Sequence, residues 1–323
     1  MNQGPSAGKD CGGQKVMKKI PIIVLAGSDG RPGELPSGAD AGKSLSGLKG
    51  ADITIGGVPL INNVVRRIRA SRSFGPVYVA GPARVYRSIC PDEELIDTNA
   101  DFGTNIDRSL RTVQARHPGD PVAFITCDIL PEAETLDAMA EDFCDAAPCD
   151  LWFSVVRVPE DPAQLGASAW KPRYRLVPQA GQPAVDVLGG HLAIVDPPAL
   201  RLDFLRRLFR HAYATRNRNL AYRRSVVLFK IVGSLLAEDF RRLLSGRLPD
   251  VTWITVRAGV TGARNLGRGR LTVAQLEKVL ADLLIQRDRI RKMGCCVRVP
   301  VVEHLSLALD IDTEEEALSW GAS

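Results

Sequence analysis

Short apolar runs that end abruptly at glycine or aspartate recur along this 323-residue chain. The first covers residues 20–25, where isoleucine, valine and leucine surround one proline before a polar stretch begins. An apolar run of this length, followed by glycines, predicts a strand that is buried on both faces of a parallel sheet. Two further runs lie at 76–81 and 121–127, and predicted helices separate the runs at 62–71 and 103–116. This alternation predicts an α/β fold in which helices cover both faces of a mostly parallel, Rossmann-like sheet, in three layers.

The second half of the chain continues the pattern and adds a long helical stretch. Strands are predicted over 151–158, 173–177, 187–195 and 252–256, and a long helix over 272–291. Between about 197 and 250, apolar residues recur at helical spacing with many arginines between them, which predicts a helical insertion. We therefore expect a flexible leader over 1–18 and one domain over 19–323. The arginines fit a solvated helix face, and a surface that binds a phosphate backbone or an anionic membrane is the alternative.

The loop after the first strand has the composition of an anion site. Gly27 and Gly30 lack a Cβ atom, so the backbone can bend sharply and bring its N–H groups close to a phosphate. Arg31 adds a planar guanidinium group that pairs with phosphate oxygens. The loop therefore predicts a nucleotide-binding site at the end of the first strand.

Two apolar stretches far apart in the chain lead into aspartates. The run at 121–127 ends at Asp128, and a run that begins at Leu305 ends at Asp310 and Asp312, which would face the same way in an extended chain. Open α/β sheets bind their ligands at the carboxyl ends of strands, and carboxylate oxygens suit hard cations. Asp128 has a second interpretation, as the cap of a helix that begins near Glu132.

A stretch rich in glycine, proline and serine follows the anion loop and contains Lys43 and Lys49. Its composition predicts a flexible surface segment over the site. Gly42-Lys43-Ser44 lacks the glycine spacing and the preceding strand of a phosphate-binding P-loop, so we do not interpret it as one.

Two further polar positions fall on predicted elements. Gly103-Thr104-Asn105 begins a predicted helix, where Thr104 or Asn105 would cap the helix or contact a base or ribose. His191 lies in a predicted strand, where a structural role and a contact with substrate are both open.

Composition excludes several classes of protein. The seven cysteines include no C-x-x-C pair, which argues against a zinc site or a disulfide framework. No apolar run approaches the length of about 20 residues that a membrane span needs, and the first residues lack the apolar core of a signal peptide. With 45% hydrophobic residues and a net charge of +5, we expect a cytoplasmic protein with an anionic ligand.

Taken together, these stretches resemble the MobA-like nucleotidyltransferases, which load a nucleoside monophosphate onto a phosphorylated acceptor. The resemblance rests on five stretches in the family's order: Leu25-Ala26-Gly27-Ser28-Asp29-Gly30-Arg31, Lys49 before Gly56-Gly57-Val58-Pro59-Leu60, Gly103-Thr104-Asn105, Asp128-Ile129-Leu130-Pro131, and Asp310-Ile311-Asp312-Thr313. It implies a GT-A-like fold, Mg²⁺ as cofactor, and an NTP and a phosphorylated small molecule as substrates. It gives no reason to expect nucleic acid as a partner, and a homodimer is one arrangement it allows.

The resemblance also implies roles for individual residues. Nucleotide-binding roles go to Leu25, Ala26, Gly27, Ser28, Gly30, Gly103, Thr104 and Asn105. Catalytic roles go to Arg31, Lys49 and Asp128, and metal-binding roles to Asp128, Asp310 and Asp312.

Two departures from the family pattern keep alternatives open. Ser28 replaces a glycine of the family pattern, and Arg31 follows Gly30 directly. Lys43 is therefore an alternative catalytic lysine. An inactive nucleotide-sensing or anion-binding protein and a GT-A glycosyltransferase are alternative functions.

Overall fold

The computed structural model describes residues 18–27, 47–214, 232–233, 235–246, 249–294, 297–313 and 316–318. Four of the residues singled out above, Ser28, Gly30, Arg31 and Lys43, lie outside these ranges, as does nearly all of the leader. Their roles therefore stay predictions.

The described residues form the strands β1 (Ile20–Leu25), β2 (Thr54–Ile55), β3 (Val58–Pro59), β4 (Phe74–Gly81), β5 (Glu94–Asp97), β6 (Val122–Thr126), β7 (Leu151–Arg157), β8 (Tyr174–Val177), β9 (Val185–Val195), β10 (Leu271–Thr272), β11 (Val297–Arg298) and β12 (Val301–Val302). The helices are α1 (Lys49–Asp52), α2 (Leu60–Ala70), α3 (Ala83–Ile89), α4 (Phe102–Arg116), α5 (Ala133–Asp145), α6 (Leu202–Ala214), α7 (235–244), α8 (Val251–Gly267), α9 (Val273–Leu284) and α10 (Arg287–Met293).

Four parallel strands form the centre of the sheet in the spatial order β5-β4-β1-β6. The chain runs from β1 outward to β4 and β5 and then returns to β6 on the other side of β1. Because the direction of winding reverses there, the carboxyl ends of β1 and β6 form a topological switch point, where open α/β sheets bind their ligands.

The remaining strands make the sheet a mixed one. Strand β9 is antiparallel to β6 and pairs with β7 on its other edge. Strand β8 pairs with the first residues of β9, and the short strands β11 and β12 run parallel to β7. Strand β9 therefore connects the parallel half of the sheet to the half that contains β7, β8 and the short strands β10, β11 and β12.

Side chains that alternate along the central strands divide the core into two layers. In β1, Ile22 and Val24 pack in a cluster that includes apolar residues of α2 and α5. Ile23, between them, packs in a cluster with residues of α4 and α9. Helices therefore cover both faces of the sheet, and the predicted three-layer α/β fold is confirmed.

The second half differs from the sequence prediction in three places. Residues 252–256 belong to α8 and not to a strand, although threonine, isoleucine and valine favour strands locally. Packing decides the conformation, because Gly262 of α8 brings that helix against Val279 of α9. The predicted helix over 272–291 breaks where the N–H of Gln286 donates to the carbonyl oxygen of Ala199. The residues before Asp310 include a 3₁₀ turn, Leu305–Leu307, in place of a strand.

Helices α6 and α7 agree with the helical character predicted for residues 197–250. That this stretch is an insertion into the domain stays a prediction. Among the described helices, none has both the length and the apolar character needed to span a bilayer.

Candidate active site

The C-terminal segment is attached to the end of β6 by one backbone hydrogen bond. The N–H of Ile311 donates to the carbonyl oxygen of Asp128 over 2.7 Å. The side chain of Ile311 is fully buried. Since side chains alternate along an extended segment, Asp310 and Asp312 both turn away from the direction of Ile311. Both of these half-buried carboxylates lie in the same charged cluster as Asp128.

Lys49 reaches this cluster from the short helix α1. The next residue, Gly50, is buried, and a Cβ atom there would lie 3.2 Å from the Sγ atom of Cys127 and 3.2 Å from the Oη atom of Tyr86. The lack of a side chain at Gly50 therefore lets α1 pack closely against the residue that precedes Asp128.

The ammonium group of Lys49 connects two of the predicted metal ligands. Its Nζ atom donates to Oδ2 of Asp128 over 3.2 Å and to Oδ1 of Asp312. Burial alone would lower the pKa of Lys49, but the charges of Asp128 and Asp312 outweigh it and raise the pKa. Lys49 is therefore a cation at any physiological pH.

A second lysine joins the cluster from the loop after β7. The Nζ atom of Lys171 donates to Oδ1 of Asp310 over 2.5 Å and to the carbonyl oxygen of Ala308. Its side chain is only 9% exposed. A buried ammonium group held in this way fixes both the charge and the position of the segment that carries Asp310.

His191 of β9 lies between the carboxylates of Asp128 and Asp310. Its Nε2 atom is 3.0 Å from Oδ1 of Asp310, and its Nδ1 atom is 3.0 Å from Oγ1 of Thr126 and 4.0 Å from Oδ1 of Asp128. The Nζ atom of Lys171 lies 3.5 Å from the same Nε2 atom. Both ring nitrogens of His191 therefore have polar partners within the cluster.

The pKa values of Asp128 and Asp310 shift in opposite directions. For Asp310, burial and the negative charge of Asp128 raise the pKa, against the opposing effect of His191 and Lys171. For Asp128, burial acts upward, but the charges of Lys49 and His191 outweigh it and lower the pKa. The two carboxylates repel each other, so a cation placed between them would stabilise the charged form of both.

One ligand atom from each of Asp128, His191 and Asp310 lies within 4.8 Å of the others, close enough to hold one metal ion. Oδ1 of Asp128 is buried and accepts no hydrogen bond from the described residues. An unpaired buried carboxylate oxygen is costly in free energy, and a bound cation would remove that cost. Carboxylate oxygens are the ligands that Mg²⁺ prefers, so these residues fit the predicted cofactor.

The alternative interpretation of Asp128, as a helix cap, is wrong. Helix α5 begins after Glu132, and no side chain there caps it. The Asp128 carboxylate instead faces Lys49 and His191.

The end of β1 lies against the start of α4, as the predicted nucleotide site requires. A Cβ atom on Gly27 would lie 3.0 Å from Nδ2 of Asn105. The Asn105 side chain is buried, accepts from the hydroxyl of Thr98 over 2.5 Å and donates to the carbonyl oxygen of Ala100 over 3.2 Å. The amide of Asn105 therefore fixes the loop of residues 98–100, next to Gly27.

Asp101, and not Thr104 or Asn105, caps α4. Its carboxylate accepts from the N–H of Thr104 over 3.1 Å and from the hydroxyl of Thr104 over 2.6 Å. Gly103 is buried beneath α6, where a Cβ atom would clash with the carbonyl oxygen of Arg206. The side chains of Thr104 and Asn105 form hydrogen bonds within the protein, and Gly103 packs against α6. A base or ribose contact at residues 103–105 therefore stays a prediction.

The sequence did not indicate Lys171, and it left the role of His191 open. Lys171 follows an irregular polar stretch in which no motif or periodicity marks one lysine. His191 carried a weak signal, because a histidine inside an otherwise apolar strand needs a polar partner. The pairing of β9 with β6 was required to show which partner that is.

No family model matches this sequence, and no curated protein matches it either. Among solved structures, the chain is similar to a hypothetical transferase from Thermus thermophilus, at 19% sequence identity and a TM-score of 0.55, over 93% of this chain and 100% of that chain. The structure of CMP:2-keto-3-deoxy-manno-octonic acid synthetase complexed with CTP aligns at 15% identity and a TM-score of 0.40, over 71% of this chain and 87% of that chain. HddC from Yersinia pseudotuberculosis complexed with GMP-PN aligns at 14% identity and a TM-score of 0.39, over 58% of this chain and 79% of that chain.

At these identities a structural similarity shows the fold and not the reaction. The fold is therefore compared with the Thermus thermophilus structure alone. The narrower resemblance to MobA-like enzymes stays a prediction. This chain has an α/β fold, with a mixed and mostly parallel central sheet, that it shares with the Thermus thermophilus structure over nearly the whole length of both chains.

Proposed function

We propose that this protein is a nucleotidyltransferase that moves a nucleoside monophosphate from an NTP to a phosphorylated acceptor and releases pyrophosphate. The observation that carries the proposal is the position of Lys49 between Asp128 and Asp312, at the switch point of the sheet. Two phosphate-bearing substrates repel each other. A lysine ammonium group and a metal ion held by the carboxylates would reduce this repulsion and align the reacting groups.

The proposed reaction is an in-line displacement at the α-phosphorus of the NTP. An oxygen of the acceptor phosphate forms the new bond to this phosphorus, and the bond to the bridging oxygen breaks, so that pyrophosphate leaves with that electron pair. Lys49 and Lys171 would neutralise the negative charge that the two substrates bring together. The backbone at Gly27 would approach the phosphates of the NTP. The role of Arg31 in binding them stays a prediction from the sequence.

Asp128 and Asp310 would hold Mg²⁺, with His191 and Asp312 beside them. When bound, the ion supplies positive charge to the phosphate oxygens of the NTP. The protein side chains keep the two carboxylates at a fixed spacing. Lys171 anchors Asp310, and the backbone bond from Ile311 anchors the segment to Asp128.

Direct transfer requires no nucleophile from the protein. Cys127 directly precedes Asp128, and burial together with the charge of Asp128 raises the pKa of its thiol to about 12. The neutral thiol is a poor nucleophile. A covalent nucleotidyl-cysteine intermediate is therefore no part of the proposal.

The test measures pyrophosphate release from each of the four NTPs with Mg²⁺ and a panel of phosphorylated acceptors. The thermal shift of the protein with each NTP identifies the base beforehand, because a ligand that binds only the folded state raises the melting temperature. Asp128→Asn should lower the rate on the order of 10²-fold or more. Asp92→Asn, which makes the same change at an exposed position, should leave it unchanged. Full activity of Asp128→Asn would refute the proposed role of this site.

One observation favours the alternative of a nucleotide-binding protein without turnover. Lys49 and Lys171 already neutralise the carboxylates within the folded chain. A site of this kind would bind an NTP in EDTA as tightly as with Mg²⁺ and release no pyrophosphate. Affinity that rises with Mg²⁺ supports the enzyme, as would pyrophosphate release with any acceptor. The acceptor, the cytoplasmic location and a homodimer stay predictions from the sequence.

A further inference from the structure

A cavity of about 430 Å³ lies beside the first turns of α6, and its lining includes no residue of the candidate active site. Parts of α4, α6 and α7 and the residues around the start of α10 line it. Its volume lies within the range of pockets that hold small molecules. Six arginines line it, and they are Arg111, Arg201, Arg207, Arg241, Arg242 and Arg287.

The register of β6 and β9 places this cavity away from the carboxylate cluster. His191 lies beside Thr126 at the carboxyl end of β6, whereas Val195 pairs with Val122 at the start of β6. A strand rises about 3.3 Å per residue, so the four residues from His191 to Val195 cover about 13 Å. The cavity begins beyond Val195, at Pro197. A ligand in the cavity would therefore be separated from the candidate active site by at least the length of β9 between His191 and Val195.

The arginines of the cavity outnumber the acidic groups available to them. Three acidic residues, Asp203, Glu238 and Asp288, line the cavity. Oε2 of Glu238 already accepts from Arg201 over 3.0 Å. Asp203 lies 3.7 Å from Arg111 and 3.8 Å from Arg206. Outside the lining, Oδ1 of Asp282 accepts from Arg287 over 2.9 Å, and Oδ1 of Asp250 lies 3.8 Å from Arg242. Even with these pairs, the cavity keeps a surplus of positive charge.

Two arginines carry this surplus. Arg207 and Arg241 form no ion pair with the described residues, and the Nε atom of Arg207 is buried without a hydrogen-bond partner among them. Burial and the charges of Arg207 and Arg242 lower the pKa of Arg201, against the opposing effect of Glu238. The guanidinium groups are thus near enough to repel one another, and an anion among them would relieve the repulsion.

One arginine is held in place in advance. Arg201 donates to Glu238 and to the carbonyl oxygen of Leu283 over 3.0 Å each, and its guanidinium carbon lies 4.6 Å from the ring centre of Phe204. Arg201 therefore presents its guanidinium group in a fixed position, which lowers the entropy lost when an anion binds.

We propose that this cavity binds a small anion that carries phosphate groups, at a site separate from the candidate active site. The planar guanidinium groups match the oxygens of phosphate, and several of them can contact a chain of two or three phosphates at once. Inorganic pyrophosphate and the phosphates of a free nucleotide share this chemistry. The volume of about 430 Å³ suits a molecule of this size.

Isothermal titration calorimetry in EDTA tests the proposal, with inorganic pyrophosphate and ATP as the two probes. The variant Arg207→Gln/Arg241→Gln should bind the preferred probe about tenfold more weakly or worse, as expected when charged hydrogen bonds are lost. Arg87→Gln, which removes a charge from the exposed side of α3, should bind as the wild type does. Tighter binding of pyrophosphate or of ATP identifies the source of the phosphate groups, and either result supports the site.

Lys49→Ala separates this site from the candidate active site, because it should leave binding in the cavity unchanged even if the proposed reaction is wrong. Arg241 is exposed, so Arg241→Gln alone provides a folded variant if the double variant fails to fold. Binding that survives when either arginine variant is combined with Lys49→Ala would overturn the proposal. So would the lack of binding in the wild type, or a loss confined to Lys49→Ala.

Discussion

The backbone N–H of Ile311 donates to the backbone carbonyl oxygen of Asp128 over 2.7 Å, and this bond joins two residues that lie far apart in the sequence. It fixes the segment from Asp310 to Asp312 at the end of β6. The site therefore depends on a contact between the segment that carries Asp310 and Asp312 and the end of β6, two parts of the chain that only the folded sheet brings together.

Asp312→Asn should lower the rate of pyrophosphate release on the order of 10²-fold, with little change in melting temperature. The substitution removes one of the two charges that hold Lys49, while the bond from Ile311 and the pair with Asp128 remain. Initial rates at saturating NTP measure the effect, and Asp92→Asn is the matched exposed control. An unchanged rate would remove Asp312 from the site.

Gly50→Ala should lower the activity about tenfold through a shift of α1, since small displacements of catalytic groups have large effects on rate. A Cβ atom at 3.2 Å from both Cys127 and Tyr86 requires α1 to move by a few tenths of an ångström. Lys49, the neighbouring residue, moves with it. Gly259→Ala in α8, where a Cβ atom meets nothing within 4 Å, should keep full activity. Equal rates in the two variants would show that the close packing at Gly50 does not position Lys49.

Lys171→Met keeps the length of the side chain and removes the charge next to Asp310. We expect kcat to fall by about tenfold or more, because charge on the substrates is no longer neutralised. Lys171→Arg should recover part of the loss, and a steady-state comparison of kcat and KM separates weaker binding from slower chemistry. A methionine variant with wild-type kcat would assign Lys171 a purely structural role.

Gly103→Ala should destabilise the protein by about 1 to 3 kcal/mol, the usual cost of overpacking a tight contact. A Cβ atom at this position of α4 clashes with the carbonyl oxygen of Arg206 in α6. Gly259→Ala is again the control, and it should stabilise α8 by about 0.5 to 1 kcal/mol because alanine loses less conformational entropy in a helix. Chemical denaturation of both variants gives the comparison. If Gly103→Ala were neutral in stability and impaired only in NTP binding, residue 103 would belong to the nucleotide site and not to the helix contact.

Asp137 should make stability depend on pH. Its Oδ1 atom accepts from the hydroxyl of Ser71 over 2.6 Å and from the N–H groups of Arg72 and Ser73 over 2.9 and 3.0 Å. Burial acts to raise the pKa of Asp137, but the hydrogen bonds from Ser71 and Ser73 outweigh it and lower the pKa. The stabilisation is therefore present above the ordinary pKa of an aspartate, about 3.9, and is lost as the pH falls through the lower folded-state value.

Asp137→Asn tests this dependence. It should cost about 1.5 to 3 kcal/mol at pH 7, the range for hydrogen bonds to a charged group, and progressively less toward pH 2. Urea denaturation across this pH range measures the free energy of unfolding. Glu141→Gln changes an exposed residue of the same helix. Its free energy of unfolding should stay close to that of the wild type at every pH. A constant difference between Asp137→Asn and the wild type at all pH values would contradict the assignment.

Much of the parallel half of the fold follows from local patterns. The apolar run at residues 20–25 and the one that ends near Cys127 became β1 and β6, because strands buried on both faces need continuous apolar side chains. The helix predicted over 62–71 is α2, which spans Leu60–Ala70. Local patterns failed at residues 252–256, where contacts between α8 and α9 outweighed the strand preference of threonine, isoleucine and valine.

The sequence by itself determined which residue types could make a phosphate and metal site. Asp128 ends a predicted strand, Asp310 and Asp312 alternate with Ile311, and Lys49 was indicated by the resemblance to the MobA-like enzymes. Only the tertiary structure brought these four together, added Lys171 and His191, and turned Asn105 inward. The reason is physical. Strand and helix preferences act over a few neighbouring residues, whereas a charged cluster forms from Coulomb forces and hydrogen bonds between residues that only the pairing of β1, β6 and β9 places side by side.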